Sequence, residues 1–358
     1  MGSKAIELQL RQLEESFSKS RSNIYSDKRK ESHFLEIYAL FEKIRDSDFK
    51  SFNDSELSYH IFFLSVIFSD LEYLDNSTLN IIPYEMVSCL EYALGDWLDS
   101  DEFIIVTSMS NKMNDFYLRT PLDEEYYKIF SDGIDSRYQL SIKHRLIQIS
   151  LPKILSRDYL SCGALYHELG HFVDNQLNIS SKLFFNKYLK KVPKNLIGEE
   201  QKYFHHKMEF FADLFAAQYI VDASSIYLKQ ISRDVNESNT HPATPLRIEV
   251  TKEFLNDDIN DIVNDFNKVL NSNNLELLKK RYSVIKVENS NLKDLYPESF
   301  KTIEELHYIF KLGWEIWIDS EKNFLKDFSS RQSYNIVNNL IEKSISNHVV
   351  QENWKKTQ

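Results

Sequence analysis

Tyr166-His167-Glu168-Leu169-Gly170-His171 carries two histidines four residues apart. On a helix that spacing puts both imidazoles on one face, where they can reach a single metal ion. Glu168 follows the first histidine directly, in position to take a proton from water activated at that metal. At about 100° per residue, His167, His171 and Asp174 share one stripe of the helix. Cys162, Leu165, Leu169, Phe172 and Val173 fall on the opposite side, so one face can hold a metal while the other joins a core. Ser156 or Asp158 can cap the start of the helix.

Downstream lies His205-His206-Lys207-Met208-Glu209-Phe210-Phe211-Ala212-Asp213-Leu214-Phe215-Ala216-Ala217. Glu209 and Asp213 share a helix face with Ala212 and Ala216, while Phe211, Leu214 and Phe215 form a core-facing side. The small alanines let this helix approach the histidine helix closely. Glu209 as a third ligand leaves one coordination position for water, the pattern of a catalytic zinc site. His205, one turn earlier on the same stripe, is the alternative ligand. A solvated acidic face is the plainer reading of Glu209 and Asp213, and their Phe, Ala and Leu neighbours argue against it.

A third stretch, Thr240-His241-Pro242-Ala243-Thr244-Pro245-Leu246-Arg247-Ile248, reads as a proline-stiffened loop entering a helix. His241 can serve there as an oxyanion donor, as a fourth ligand that closes the site, or as a cap of the following helix. Arg247 is a candidate for supporting the site or its oxyanion, or for a structural ion pair. Asp174 either supports His171 or is an ordinary helix acid.

Together the three stretches resemble the gluzincin zinc metallopeptidases, in which the histidines of His-Glu-x-x-His and a downstream Glu bind zinc. The resemblance implies one zinc ion per chain held by His167, His171 and Glu209, with Glu168 as general base and Asp213 orienting the first histidine. Glu-Phe-Phe-Ala-Asp followed by Thr-His-Pro and an Arg-Ile pair looks most like the CAAX prenyl protease and HtpX-like family, here without its membrane spans. The match covers Leu160 to Val250.

The rest of the chain supplies context. Its 358 residues can bury a sizeable core, and a hydrophobic content of 42% marks a folded protein. Seven glycines and seven prolines leave few turn signals, which favours helix. A mainly α fold with a small β-sheet (α+β) is expected: a zincin-like core at 101–250 between helical subdomains at 1–100 and 251–358. Phe103 to Thr107 and Leu146 to Leu151 read as strands, Tyr138 to Ile142 as a third, and Asp132-Gly133 as a turn. From Thr251 onward the chain reads helical, with Leu255, Ile259, Ile262, Val263 and Phe266 as one stripe.

A net charge of −11 argues against a general nucleic-acid or anionic-membrane binder, and local runs such as Lys190-Lys191 and Lys279-Lys280-Arg281 read as solvated faces. The two cysteines, Cys89 and Cys162, sit in helical patterns and suggest no disulfide framework. The N-terminus shows no secretory signal, and the apolar run Tyr59 to Phe68 is shorter than the roughly 20 residues a membrane span needs. These features predict a cytoplasmic protein with no membrane insertion.

The expected activity is zinc-dependent cleavage of a protein or peptide substrate, in a regulated stress, defence or toxin-like role. Strand Leu146 to Leu151 is expected to hold the substrate in extended form. The alternative is a regulatory binding protein that keeps a structural zinc in the same fold.

Overall fold

The computed structural model describes residues 3–25, 27–78, 83–99, 101–112, 116–119, 124–193, 195–231 and 236–355. It is mainly helical with one three-stranded sheet, an α+β fold. Two compact units make up the chain: Met1–Val87 with Asp99–Lys153, and Ser88–Leu98 with Ile154–Gln358.

The first unit contains α1 (Ser3–Ser20), α2 (Lys28–Arg45), α3 (Asp54–Asp75), the start of α4 (Tyr84–Gly95), β1 (Phe103–Ser110), β2 (Tyr117–Arg119), α5 (Glu124–Tyr138) and β3 (Arg145–Pro152). A capping box opens α3: the Asn53 side chain accepts from the Glu56 N–H, and the Glu56 carboxylate accepts from the Asn53 N–H. By length and composition α3 could cross a membrane, and half of its apolar window is buried. Phe63, Leu64, Ile67 and Leu71 of α3 join Phe17, Ile37, Phe41, Ile104, Val106, Phe130 and Leu146 in one core. The sheet therefore belongs to the unit of the N-terminal helices rather than to a separate core at 101–250, and one of its faces, through Ile104, Val106 and Leu146, is buried against them.

β1 pairs in parallel with β3, and β2 pairs antiparallel on the other edge of β3, giving the order β1-β3-β2. This overturns three expectations. The third strand is Tyr117–Arg119, and Tyr138 to Ile142 is the end of α5 and the segment after it. Asp132-Gly133 is no turn: Gly133 lies inside α5, where a Cβ would meet the Phe63 ring at 2.8 Å, so the glycine admits close helix packing. Nor can β3 readily take a substrate by strand addition. Its whole length is buried, Gln148 and Ser150 included, and Gln148 to Ser150 already pair with β2.

The second unit contains the end of α4, α6 (Tyr159–Cys162), α7 (Ala164–Leu177), α8 (Ile179–Tyr188), α9 (Gly198–Ile220), α10 (Ala223–Ile231), α11 (Thr244–Asn256), α12 (Asp261–Ser272), α13 (Ile303–Ile318) and α14 (Ser330–Lys355). Asp158 caps α6 through the Ser161 N–H at 3.1 Å. Leu165, Leu169, Phe172 and Val173 of α7 are buried, as the helical projection required, whereas Cys162, also buried, and the Asp158 cap belong to α6, and α7 itself starts after Gly163 with no side-chain cap.

The helical stripe expected after Thr251 is broken. Asp257 takes a left-handed conformation (φ 61°) that ends α11, Asn260 caps α12, and Ile259 between them is 92% exposed. Residues 273–302 then run without an α-helix, making two 3-10 turns. The Asn and Ser cluster from Asn271 to Asn274 explains the exit, since these side chains compete for backbone hydrogen bonds. Residues 251–358 thus form no subdomain of their own; they share the unit that carries α7 and α9.

Candidate metal centre

α7 and α9 cross at Gly170. A Cβ there would lie 2.8 Å from the Ala212 Cα and 3.0 Å from the Phe215 Cβ, so this crossing tolerates only glycine opposite alanine. The close approach turns the histidines of α7 toward the acids of α9. His167, His171 and Glu209 each offer a ligand atom, all within 4.8 Å of one another, and no other such group occurs among the described residues. His205 takes no part in it.

The separations are short. The two histidine Nε2 atoms are 3.1 Å apart, His167 Nε2 is 3.5 Å from Glu209 Oε2, and His171 Nε2 is 3.5 Å from Glu209 Oε1. Zinc–ligand bonds of about 2.0–2.2 Å at tetrahedral angles place ligand atoms about 3.3–3.6 Å apart. The two Glu209 contacts, made by different carboxylate oxygens, fall in that range and the histidine pair is slightly closer, so the cluster could hold a metal ion after small side-chain adjustment. Side-chain exposures of 15% for His167 and 19% for His171 leave the group open to solvent on one side, which a fully closed structural site would not be.

Behind the ligands, Asp213 Oδ1 lies 3.0 Å from His167 Nδ1. That contact fixes the ring with Nε2 facing Glu209. Arg247, buried at the start of α11, donates from Nε and Nη2 to the two Asp213 oxygens, each at 2.7 Å. Its Nη2 also lies 3.2 Å from Glu209 Oε2. One guanidinium thus holds both Glu209 and Asp213. Pro245 in the first turn of α11 suits the start of that helix, where a backbone N–H has no partner to lose.

Asp174 does not support His171 by a hydrogen bond. Its Oδ1 accepts from the Ser180 N–H at 2.7 Å, capping α8, and His171 Nδ1 is buried without a hydrogen-bond partner among the described residues. Burial pushes Asp174 up to about 6 against the pull of Ser180.

His241 sits at the rim with its side chain 59% exposed and Nε2 3.5 Å from Glu209 Oε1. Its loop is tied from several sides: Thr240 Oγ1 lies 2.8 Å from His241 Nδ1, and the His241 N–H donates to Ser238 Oγ at 3.0 Å. His206 Nε2 lies 2.7 Å from the Ser238 carbonyl oxygen. Thr240, Ser238 and His206 had no sequence signal beyond their nearness to His241 and Glu209.

The site gathers three acids around one arginine. With neutral imidazoles, Glu168, Glu209 and Asp213 stand against Arg247, leaving an imbalance that a divalent cation would neutralise. Burial opposes a charge on His167, but Asp213 and Glu209 outweigh it and push its pKa up to about 10. Against the same burial, the two histidines hold Glu209 far below the carboxylate range, and Arg247 with His167 hold Asp213 down. Burial also disfavours the Arg247 charge, which Asp213 and Glu209 more than restore. Glu168 moves the other way: its burial dominates and raises its pKa, although His167 and His171 pull it down. A carboxylate shifted upward is a better proton acceptor at neutral pH. Comparison with protein-family models, curated proteins and solved structures finds no match for this chain.

Proposed function

We propose that the protein is a zinc-dependent endopeptidase. The observation that supports this reading is the meeting of His167, His171 and Glu209, one ligand atom from each within 4.8 Å of the others, with Asp213 behind His167. Zinc, when bound, supplies a Lewis acid that lowers the pKa of water toward about 7 and polarises a carbonyl. Glu168 accepts the proton of the attacking water and passes it to the leaving amine. Asp213 keeps the His167 proton on Nδ1, so that Nε2 stays free as a ligand. His241, with Nδ1 against the Thr240 hydroxyl, turns Nε2 toward the site, where an N–H can donate to the developing oxyanion.

The test is proteome-wide: compare protein termini in cells expressing the wild type with those expressing Glu168→Gln. New cleavage products confined to the wild type are expected, with equal zinc in both purified proteins. Equal biological effect and no distinct cleavage products would transfer the site to a binding protein with structural zinc.

A further inference from the structure

We propose that the corner formed by α8 and the start of α9 docks on an anionic phospholipid surface. The chain carries a net charge of −11, yet residues 175–198 contain five lysines and no acidic residue, with Glu199 and Glu200 following in the first turn of α9. Of the described lysines there, only Lys190 is ion-paired, to Glu200 at 2.7 Å. Lys182 donates to the Leu177 carbonyl oxygen, Lys187 lies 3.9 Å from the Tyr203 ring centroid, and Lys191 is exposed. None of these three meets a carboxylate among the described residues.

Large apolar side chains stand beside these charges. Phe185 is 48% exposed, Leu189 80% and Ile197 80%. Asn178, Lys182, Phe185, Asn186 and Leu189 follow one another at helical spacing along the outer face of α8, while Ile179, Leu183 and Phe184 are buried. The Lys190–Glu200 pair ties the end of α8 to the first turn of α9, which brings Ile197, the N-cap residue of α9, to the same corner.

A depression of about 560 Å³ opens on this face, lined by Asn178, Ser181, Lys182, Phe185, Lys191 and Asn273 among others. Ammonium, hydroxyl and amide groups around an apolar ring suit a phosphate headgroup above its acyl chain. A solvated basic face explains the lysines alone. It does not explain Phe185, Leu189 and Ile197 held out among them, whereas the combination is that of an interfacial membrane surface. Nucleic acid would use the charge and leave those aliphatic groups in water. Docking here is independent of the zinc reading, since no residue is shared.

Sedimentation of the full chain tests this, using vesicles of equal parts phosphatidylcholine and phosphatidylglycerol, and of phosphatidylcholine alone. The protein should pellet with the mixed vesicles only and be released by salt. The triple variant Lys182→Glu, Lys187→Glu, Lys191→Glu should lower partitioning roughly a hundredfold or more, at about one kcal/mol per lysine. Phe185→Ser with Leu189→Ser should weaken binding while leaving its salt dependence, and carries the test if the charge variant does not fold. No binding to either vesicle, equal binding to both, undiminished binding by folded variants, or capture by an RNA homopolymer in place of vesicles would each overturn the proposal.

Discussion

Asp213 is gripped from two sides, by the Arg247 fork and by the His167 ring. Its value lies in orientation, because a ring free to turn would carry Nε2 off the metal. Asp213→Asn keeps the shape and removes the charge, and zinc affinity measured by chelator competition should fall about 10- to 100-fold. Unchanged affinity would show that the His167 ring needs no such partner. Behind the same helix, His307 is buried with Nδ1 2.8 Å from the Tyr166 hydroxyl. Burial, helped by His348, depresses its pKa to about 3 from an ordinary 6.5. The folded form therefore holds this ring neutral while the unfolded chain protonates it below pH 6.5. Its stabilising contribution is complete above that pH and drains away as pH falls toward 3, at about 1.4 kcal/mol per pH unit. His307→Gln should lower stability at neutral pH yet flatten the denaturation midpoint between pH 6.5 and 4. Parallel curves for wild type and variant would assign the acid sensitivity elsewhere.

At the scale of elements, the crossing of α7 and α9 decides whether a site exists. The atoms nearest a Cβ at Gly170 include the Ala212 Cα and carbonyl oxygen, which cannot rotate away as a side-chain end would. Gly170→Ala gains helix propensity of up to about 1 kcal/mol. Forcing the helices apart costs typically 1–3 kcal/mol. The variant should melt lower and bind zinc more weakly, since separation lengthens the distance from both histidines to Glu209. A melting temperature at or above wild type, with full zinc binding, would show that the crossing has slack. Gly133 makes a comparable contact with Phe63, but there the neighbour is a ring that can shift.

For the molecule as a whole, His167, His171 and Glu209, the proposed zinc ligands, all lie in the second unit. Binding to the folded state alone adds stability by mass action, about 4 kcal/mol when free metal exceeds its Kd a thousandfold. Zinc removal should therefore speed amide exchange in α7, α9 and α11, read by hydrogen–deuterium exchange mass spectrometry, and leave α2 and α3 unchanged. Equal acceleration in α2 and α3 would show that the two units unfold as one.

The sequence by itself determined the helical content, the pairing of His167 with His171, the face shared by Glu209 and Asp213, and the strands at Phe103 and Leu146. Each of these follows from periodicity over neighbouring residues, which the backbone enforces locally. Tertiary structure alone decided the rest. It chose Glu209 over His205, because only the packing of Gly170 on Ala212 sets which turn of α9 faces the histidines. It drew Asp174 away to cap α8 and gave Arg247 to both acids, pairings between residues whose spacing in sequence carries no period. It also assigned the sheet to the N-terminal helices and showed β3 to be buried and paired along both edges. Burial and edge pairing depend on what packs from elsewhere in the chain, and alternation along one strand cannot report that.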